Sequence, residues 1–431
     1  MKFLERFFEL SRHSTDLKTE FLAGLTTFLT LAYIVFVNPS ILRQTGMDPN
    51  ALITATILSA VFGTVLMGIF AKQPFALAPG MGLNAYFTYT VVIGQGIPWQ
   101  TALGAVFLSG IAFVLLSVTR ARLYIINAVP LGLKIAIASG IGLFLTFIGL
   151  KNGGLVTSHD VTFLTVGDLR SREVLVSIVG LLVMTALLAK RIHGAILLGI
   201  LVSTGIALAT GLAHPPDHFI GLPPSIAPLF LKLDLKAATL LGPLTILFTF
   251  LLVDFFDNMG TLIGLGKKAG LIDEKGNLVR MRQALITDGF AVIGGALLGT
   301  STVTTYIESA AGIQEGGKTG LTALFCAFFL FLLLFFSPII NIIPASATAP
   351  ALIIVGLMMV SSIKELDLED YTNALPAFLT AVMIPFTFSI ARGIAFGFIS
   401  YTLIKLITGR WREVHWMMYP LSLALGFHLV M

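Results

Sequence analysis

Apolar runs recur along the whole chain and are separated by short polar or glycine-rich stretches. A run of about twenty residues is long enough to cross the hydrocarbon core of a bilayer as a helix. We assign the runs to residues 19–42, 51–70, 75–94, 100–119, 132–150, 173–189, 192–212, 238–266, 284–299, 302–315, 320–342, 348–363, 371–389 and 391–408. The pattern predicts an all-α polytopic membrane protein with about fourteen transmembrane segments. A last apolar stretch, 415–431, is short and interrupted by proline, so whether it enters the membrane is open.

Two of these runs are poor candidates for full-length helices. In ALAPGMGLNAYF (76–87), proline and glycine interrupt any helix before Asn84. In GTSTVTTYIESAAGI (299–313), the β-branched residues favour extended backbone, and a helix can start at Glu308. Irregular backbone at membrane depth is tolerated where it lines a cavity inside the protein. We therefore predict discontinuous helices in these two runs, the alternative being two ordinary loops.

The composition supports a membrane protein and argues against an enzyme. Of 431 residues, 56% are hydrophobic and 11% are charged, whereas a soluble domain carries about 25% charged residues. The single cysteine, Cys326, excludes an intrachain disulfide. The histidines fall in loops, at helix ends or in the tail, and no intramembrane Cys–His group offers a nucleophile or a metal site. We expect no enzymatic activity, no metal, no cofactor and no nucleic-acid partner.

The basic residues predict the orientation of the chain. With the N-terminus inside, 20 of the 27 Lys and Arg residues fall in inner segments, as the positive-inside rule requires. This bias favours an even number of crossings, with both termini cytoplasmic and the chain in the cell membrane. The first residues suit an amphipathic helix at the cytoplasmic face, with Phe3, Phe7 and Phe8 turned to lipid.

The chain also repeats itself weakly. GLTTFLTLAYIVFVN (24–38) aligns with PLTILFTFLLVDFFD (243–257), and NAYF (84–87) aligns with TTYI (304–307) at nearly the same offset. Two halves of seven crossings each have opposite orientations, which is a common build for secondary transporters that bind substrate between broken helices. The predicted division is 1–18 as a cytoplasmic amphipathic segment, 19–212 as the first repeat, 213–237 as an extracellular connection, 238–410 as the second repeat and 411–431 as a C-terminal tail.

Acidic residues inside the apolar runs are the first candidates for function. Asp254 and Asp257 are three positions apart, so a helix places them on one face, and Glu308 heads the second broken helix. Burying such a carboxyl in a membrane costs about 2.5–3.5 kcal/mol, so a functional role is the default interpretation. The alternative is an acid that only makes structural hydrogen bonds. A carboxyl buried without a cation favours its protonated form, which a proton-coupled transporter needs.

One stretch resembles a phosphate-binding loop. Residues 312–319, GIQEGGKT, fit the pattern G-x-x-x-x-G-K-T. A nucleotide-binding loop needs a soluble α/β domain of about 100 residues, but the helix after this match is apolar all round. We interpret the match as coincidental and the stretch as the end of a half-helix, stopped by Gly316 and Gly317.

The residues above carry a resemblance to a known family. The strings AGLTTFLTLAYIVFVNP (23–39), ALAPGMGLNAYF (76–87), VDFFDNMGTLIG (253–264), GTSTVTTYIESAAGI (299–313) and GGKTGLTA (316–323) resemble the adenine/guanine/hypoxanthine (AzgA-like) purine permeases, which are nucleobase–cation symporters related to xanthine/uracil permeases. The resemblance implies fourteen segments in two inverted sevens, divided into a core and a gate domain. It also implies short strands in segments 3 and 10 that meet at the substrate.

The resemblance also assigns candidate site residues. Asp257 and Glu308 match the acidic positions that hold the base, and Asn84 and Asp254 match polar positions that are important in the purine branch. For substrate binding we select Asn84, Ala85, Asp257, Tyr306 and Glu308; for proton coupling, Asp254 and Asp257; and for stacking on the ring, Tyr86 and Phe87, which could equally be packing residues.

The sequence thus predicts import of adenine, guanine or hypoxanthine by proton symport with alternating access. Two alternatives stay open: a sodium-coupled nucleobase transporter, and an anion transporter or channel of related fold. The sequence leaves undetermined the preferred purine, the coupling ion, its stoichiometry and the oligomeric state. A homodimer is one possible oligomeric state.

Overall fold

A computed structural model of the protein describes residues 2–119, 128–216, 218–240, 244–273 and 278–430. The first half contains α1 (Lys2–Phe8), α2 (Leu17–Leu31), α3 (Ile34–Leu42), α4 (Pro49–Leu66), β1 (Leu77–Pro79), α5 (Met81–Ala85), α6 (Trp99–Val118), α7 (Leu131–Asn152), β2 (Val156–His159), β3 (Phe163–Val166), α8 (Arg172–Ala189) and α9 (Ala195–Ala209). The second half contains α10 (Leu235–Leu240), α11 (Leu244–Ala269), α12 (Met281–Leu298), β4 (Val303–Thr305), α13 (Ser309–Gln314), α14 (Gly320–Leu332), α15 (Ser337–Asn341), α16 (Ala345–Val360), α17 (Tyr371–Thr387), α18 (Ile390–Ile407) and α19 (Met418–Val430).

The chain is a mostly helical, multi-pass membrane protein. Within the described ranges, nine helical stretches are long and apolar enough to cross a bilayer. They are Leu17–Thr45, Pro49–Ala71, Trp99–Val118, Leu131–Asn152, Arg172–Ala189, Ile246–Ala269, Gly320–Asn341, Ala345–Glu365 and Ile390–Ile407. Each of them overlaps an apolar run predicted from the sequence, so the sequence located these helices correctly.

The helices begin where the sequence offers capping residues. Asp16 accepts a hydrogen bond from the Thr19 amide at 2.7 Å at the start of α2. Asp48 does the same for the Ala51 amide at 2.7 Å, with proline in the first turn of α4. Such side chains satisfy amide groups that a helix leaves unpaired at its N-terminus.

The two interrupted runs contain the strands that the sequence predicts. β1 and β4 pair antiparallel, with Leu77 opposite Thr305 and Pro79 opposite Val303. A short helix follows each strand, α5 after β1 and α13 after β4, and the backbone after α5 continues as a π-helix over Tyr86–Gly94. Every residue of both strands is buried, so the pair lies inside the protein. We call the place where β1 and β4 meet the strand crossing.

The helices form two packing groups, each drawn from both halves of the chain. In the first group, α2, α4, α6, α11, α12, α13 and α14 pack around the strand crossing. In the second group, α7, α8, α9, α16, α17, α18 and α19 pack together. α11 contacts α7 and α18, and α2 contacts α9, so these helices lie at the boundary between the groups.

The structure corrects three details of the sequence interpretation. Phe8 is buried with Leu10 and Leu321, so it does not face lipid as predicted, whereas the side chain of Phe3 lies outside the described ones. The stretches 84–87 and 304–307 are not structural equivalents, because the first is helical and the second begins in β4.

The third detail concerns the C-terminal stretch left unassigned above. Residues Met418–Val430 form α19, which packs on α18. The hydroxyls of Thr402 and Ser422 lie 2.8 Å apart in this contact, and Ser422 also donates to the Phe398 carbonyl at 3.0 Å. The proline that interrupts this stretch is Pro420, in the first turn of α19, where proline is tolerated.

Candidate functional site

Glu308 lies directly after the strand crossing, at the start of the short helix α13. Its side chain is partly buried, and its Oε1 accepts a hydrogen bond of 2.6 Å from the Tyr33 hydroxyl. Tyr33 is fully buried at the break between α2 and α3. The hydrogen bond fixes one carboxylate oxygen of Glu308 and leaves Oε2 as an acceptor for another group.

The middle of α11 supplies two more carboxyls. Asp254 is 2% exposed, and its Oδ1 accepts a hydrogen bond of 3.3 Å from Asn258. Asp257, one turn from Asp254, is only partly buried. Gly260 and Gly264 follow on the same face, and a side chain built at either would meet nothing within 4 Å. The face of α11 beyond Asp257 is therefore open.

Asn258 connects α11 to the strand crossing. Its Oδ1 accepts hydrogen bonds from the Thr304 hydroxyl at 2.6 Å and from the Thr305 amide at 3.1 Å. The Thr305 hydroxyl in turn donates to Asp288 Oδ1 at 2.8 Å. A continuous chain of hydrogen bonds thus runs from Asp254 through β4 to Asp288.

Asp288 is a site residue that the sequence interpretation missed. It lies in α12, is fully buried, and its Oδ2 has no hydrogen-bond partner in the part of the chain that the structure describes. Buried polar atoms are usually paired, so a free carboxylate oxygen marks a functional group or an absent partner. The signal was present, since Asp288 is an acid in the predicted apolar run 284–299.

The four carboxyls form one electrostatic cluster. Asp257 interacts electrostatically with Asp254, Asp288 and Glu308. Among the described residues, the ion pairs to lysine, arginine or histidine lie elsewhere and involve none of these four acids. The described residues also contain no group of three or more His, Cys, Asp or Glu side chains that could hold a metal ion.

Asn84 belongs to a separate network of amides and hydroxyls on the β1 side of the crossing. It is fully buried, its Nδ2 donates to Asn38 Oδ1 at 2.6 Å, and its Oδ1 accepts a hydrogen bond from Ser301. Asn38 then donates to the hydroxyls of Thr56 at 2.8 Å and Thr300 at 3.0 Å. This neutral network joins α3, α4, α5 and the approach to β4.

The remaining candidates lie around the crossing but are packed. Ala85, Tyr86 and Phe87 are fully buried, and the Tyr86 ring packs edge-on against Phe250 with centroids 4.9 Å apart. Tyr306 is 6% exposed; its amide donates to the Ala76 carbonyl at 2.9 Å, and its hydroxyl donates to the Pro79 carbonyl. In this conformation the aromatic rings support the crossing.

The stretch that resembles a phosphate-binding loop holds a carboxylate of the chain itself. α13 ends at Gln314, and Gly316 has a φ of +95°, a left-handed conformation that favours glycine. The amides of Lys318 at 3.1 Å and Thr322 at 3.0 Å then donate to Glu20. The expected end of a half-helix is confirmed, and the amides that precede and begin α14 donate to an acid from α2.

Solved structures share this fold. The chain superposes on the transmembrane domain of a cyanobacterial bicarbonate transporter, BicA, with a TM-score of 0.68 at 16% identity, covering 88% of this chain and 97% of that one. It also superposes on SLC26A9 with a TM-score of 0.67 at 11% identity, covering 94% of this chain and 69% of that one. The chain therefore shares the fold of a class of multi-pass membrane proteins.

Sequence comparison narrows this class to a family. The chain belongs to the Permease family (Xan_ur_permease), whose model matches residues 18–396, and is a transporter, not an enzyme. This confirms the resemblance recognised in the sequence.

Three relatives are aligned over nearly their whole length. A putative permease of Methanocaldococcus jannaschii is 49% identical over 100% of this chain and 99% of its own. Adenine permease AdeQ of Escherichia coli is 46% identical over 96% of this chain and 93% of its own. Guanine/hypoxanthine permease PbuG of Bacillus subtilis is 42% identical over 99% of each chain.

Proposed function

We propose that this protein imports purine nucleobases, namely adenine, guanine or hypoxanthine, across the cell membrane. The observation that carries the proposal is the partly buried pair Glu308 and Asp257, which lies beside the strand crossing and interacts with no basic side chain in the described residues. The names of the relatives AdeQ and PbuG support purines as the substrate class.

The chemistry of a purine base suits these two acids. A purine edge carries N–H donors beside ring-nitrogen or carbonyl acceptors, and a carboxylate accepts one or two such N–H bonds. Glu308 offers its Oε2, since Tyr33 occupies Oε1. Asp257 offers a second acceptor from the open face of α11. A site that bonds substrate N–H groups in this way discriminates strongly against analogues that lack them.

The packed candidates then have supporting roles in the proposed site. Ala85 and Tyr306 line it from the two sides of the crossing, and Tyr86 and Phe87 support its wall instead of stacking on the base. Asn84 holds the β1 side in place, because both ends of its amide are already bonded to Asn38 and Ser301.

Coupling to protons is the second part of the proposal. Asp254 and Asp257 take up a proton, and the hydrogen-bonded chain through Asn258 and Thr305 links this event to Asp288. Buried carboxyls at membrane depth are a recurrent element of proton relays in transporters. Sodium coupling is the alternative, and it is one arm of the test below.

Alternating access is the third part of the proposal, and the two packing groups support it. The group that contains the crossing acts as a core and the other as a gate, in two inverted repeats of seven segments with both termini cytoplasmic. Asp257 lies on α11, which touches α7 and α18 of the other group, so a relative movement of the groups exposes the site to one side or the other. The open face at Gly260 and Gly264 leaves unfilled space along α11, between Asp257 and the lysine-rich end of the helix.

An anion transporter is the competing function that the shared fold raises, because BicA is named as a bicarbonate transporter. The electrostatics argue against it. In their charged form, the carboxyls around the crossing repel an anion, and no ion pair among the described residues joins them to a basic side chain.

Uptake by the pure protein in liposomes tests the proposal. We expect radiolabelled hypoxanthine, adenine or guanine to accumulate under an inward proton gradient and a protonophore to abolish the accumulation. Glu308→Gln is expected to abolish uptake, whereas the control Glu315→Gln, at the exposed end of the same short helix, keeps it. Accumulation driven only by a sodium gradient contradicts proton coupling, and no uptake of any base under either gradient contradicts the proposed substrate.

A further inference from the structure

The short helix α13, which begins directly after Glu308, lies along α2. A side chain built at Gly312 would collide with Thr27 and with the Ala23 backbone, and one built at Gly317 would lie 2.7 Å from the Ala23 Cβ. At the Glu308 end, the Thr30 hydroxyl lies 3.4 Å from the Glu308 carbonyl oxygen. Helix α13 is only six residues long, so its position depends on this neighbour.

The contact between α2 and α13 is fixed at both ends by side chains of the first span. At one end, the Tyr33 hydroxyl donates to the Glu308 carboxylate. At the other end, Glu20 lies in the first turn of α2 and accepts from the residues that follow α13. These two ends of the contact are thirteen residues apart along the first span.

The Glu20 carboxylate is a fully buried group whose partners are all hydrogen-bond donors of one short segment. Oε1 accepts from the Lys318 amide at 3.1 Å, and Oε2 accepts from the Thr319 amide at 3.4 Å, the Thr322 amide at 3.0 Å and the Thr322 hydroxyl at 2.5 Å. No ion pair among the described residues includes Glu20. A buried carboxylate without a cation is tolerated when such donors satisfy both oxygens.

The donors and the acceptor depend on each other. Without Glu20, the amides that precede and begin α14 lose their buried partner, and an unpaired buried amide is costly. The segment 315–319 would then move to find other acceptors and would release the end of α13. The carboxyl of Glu308 lies six residues from that end, on a helix with no further turn to absorb the shift.

We propose that Glu20 is a positioning residue for the base-binding carboxyl of Glu308. Its carboxylate anchors the segment that ends α13, and with Tyr33 it holds the short helix against α2, so that Glu308 keeps the geometry needed for the base. This inference rests on the proposed function, because it concerns the affinity of that same site.

The first test compares uptake kinetics of variants in proteoliposomes with radiolabelled hypoxanthine, adenine and guanine. Glu20→Gln places an amide group against backbone amides, and Thr322→Val removes the hydroxyl donor; we expect both to raise KM about tenfold with a smaller change in the maximal rate per folded transporter. Thr322→Ser restores the donor and is expected to keep the wild-type KM. The control Asp16→Asn removes a neighbouring acid but retains a good helix cap, and should also keep the wild-type KM.

A second measurement does not depend on substrate. Hydrogen exchange of the amides in residues 309–319 should be at least about tenfold faster in Glu20→Gln and Thr322→Val than in the wild type, Thr322→Ser or Asp16→Asn. Exchange and KM unchanged in Glu20→Gln would overturn the inference. A lower maximal rate with an unchanged KM would reduce Glu20 to a structural residue and overturn it equally. If the wild type transports no purine, the proposed function is wrong, and the exchange result still decides whether Glu20 anchors this segment.

Discussion

The two sides of the strand crossing differ in the chemistry of their polar side chains. On the β1 side, Asn84 hydrogen-bonds to both Asn38 and Ser301, and all three residues are fully buried. On the β4 side, the polar groups include four carboxyls, two of which, Glu308 and Asp257, remain partly exposed. A network of neutral groups that satisfy each other fixes a structure, whereas carboxyls with free oxygens can bind a ligand or a proton. One side of the crossing is therefore a scaffold, and the other is the reactive side.

After Glu308→Gln, the largest effect should come from the reactive side, at Asp257. We expect Asp257→Asn to reduce base uptake about 100-fold, because an amide replaces a charged acceptor that faces the base. Uptake in proteoliposomes measures this, with exposed Asp168→Asn as the matched control that keeps wild-type uptake. Uptake by Asp257→Asn within twofold of the wild type would place the base elsewhere.

A more selective effect is expected at Asp288. Asp288→Asn keeps an acceptor for the Thr305 hydroxyl but removes the group that can exchange a proton. We expect accumulation driven by a proton gradient to fall about tenfold, while exchange of labelled for unlabelled base at equal pH continues. Equal losses in both assays would show that Asp288 supports the structure and takes no part in coupling.

On the scaffold side, we expect a substitution to lower the stability of the protein. Asn84→Ala removes the donor to Asn38 Oδ1 and the acceptor of the Ser301 hydroxyl, which costs about 1–3 kcal/mol of the free energy of unfolding. Thermal unfolding in detergent should show a lower Tm, and the fraction that stays folded should bind base with the wild-type Kd. A wild-type Tm combined with lost affinity would instead make Asn84 a substrate contact and remove the distinction between the two sides.

The smallest effect is expected far from the crossing, in an ion-pair cluster at the start of α17. Arg410 bonds to Asp370 at 2.8 Å and to Glu413 at 2.6 Å, and the buried Lys405 lies 2.7 Å from Glu413. Hydrogen bonds from Thr372, together with Arg410, lower the pKa of Asp370 from 3.8 to about 2. The hydrogen bond from Arg410, with one from Lys405, also lowers the pKa of Glu413.

The sign of the pH dependence follows from these two shifts. Because the folded chain has the lower pKa, the stabilisation is complete above about pH 4 and is lost as the pH falls through about 2. The Tm of Asp370→Asn should therefore fall less on acidification than that of the wild type. At neutral pH its Tm should lie within about 2 °C of the wild type, with uptake unchanged. Altered base selectivity in this variant would contradict the assignment of selectivity to the crossing.

Much of the fold follows from patterns within single segments. The length of the apolar runs located the spanning helices, and proline, glycine and β-branched residues located the two interruptions. The same local signals failed at Phe8, whose burial depends on Leu321, a residue from a distant part of the chain.

The partners of the site residues could not be predicted, because they come from far along the chain. Tyr33 and Glu308 are separated by 275 positions, and nothing near either residue indicates the other. Glu20 was missed for the same reason, since its donors lie about 300 positions away. Asp288 differs from these, since it could have been identified from its place in an apolar run.

Equilibrium binding to the purified protein tests most directly whether the carboxyl side of the crossing holds the base. Radiolabelled hypoxanthine, adenine and guanine would be titrated onto the wild type, Glu308→Gln and the scaffold variant Asn84→Ala in detergent, and the binding scaled to the folded fraction. Base binding by the carboxyl side requires that at least one base binds the wild type, that Asn84→Ala keeps its Kd, and that Glu308→Gln loses binding by about 100-fold or more. Binding by Glu308→Gln with the wild-type Kd would contradict it.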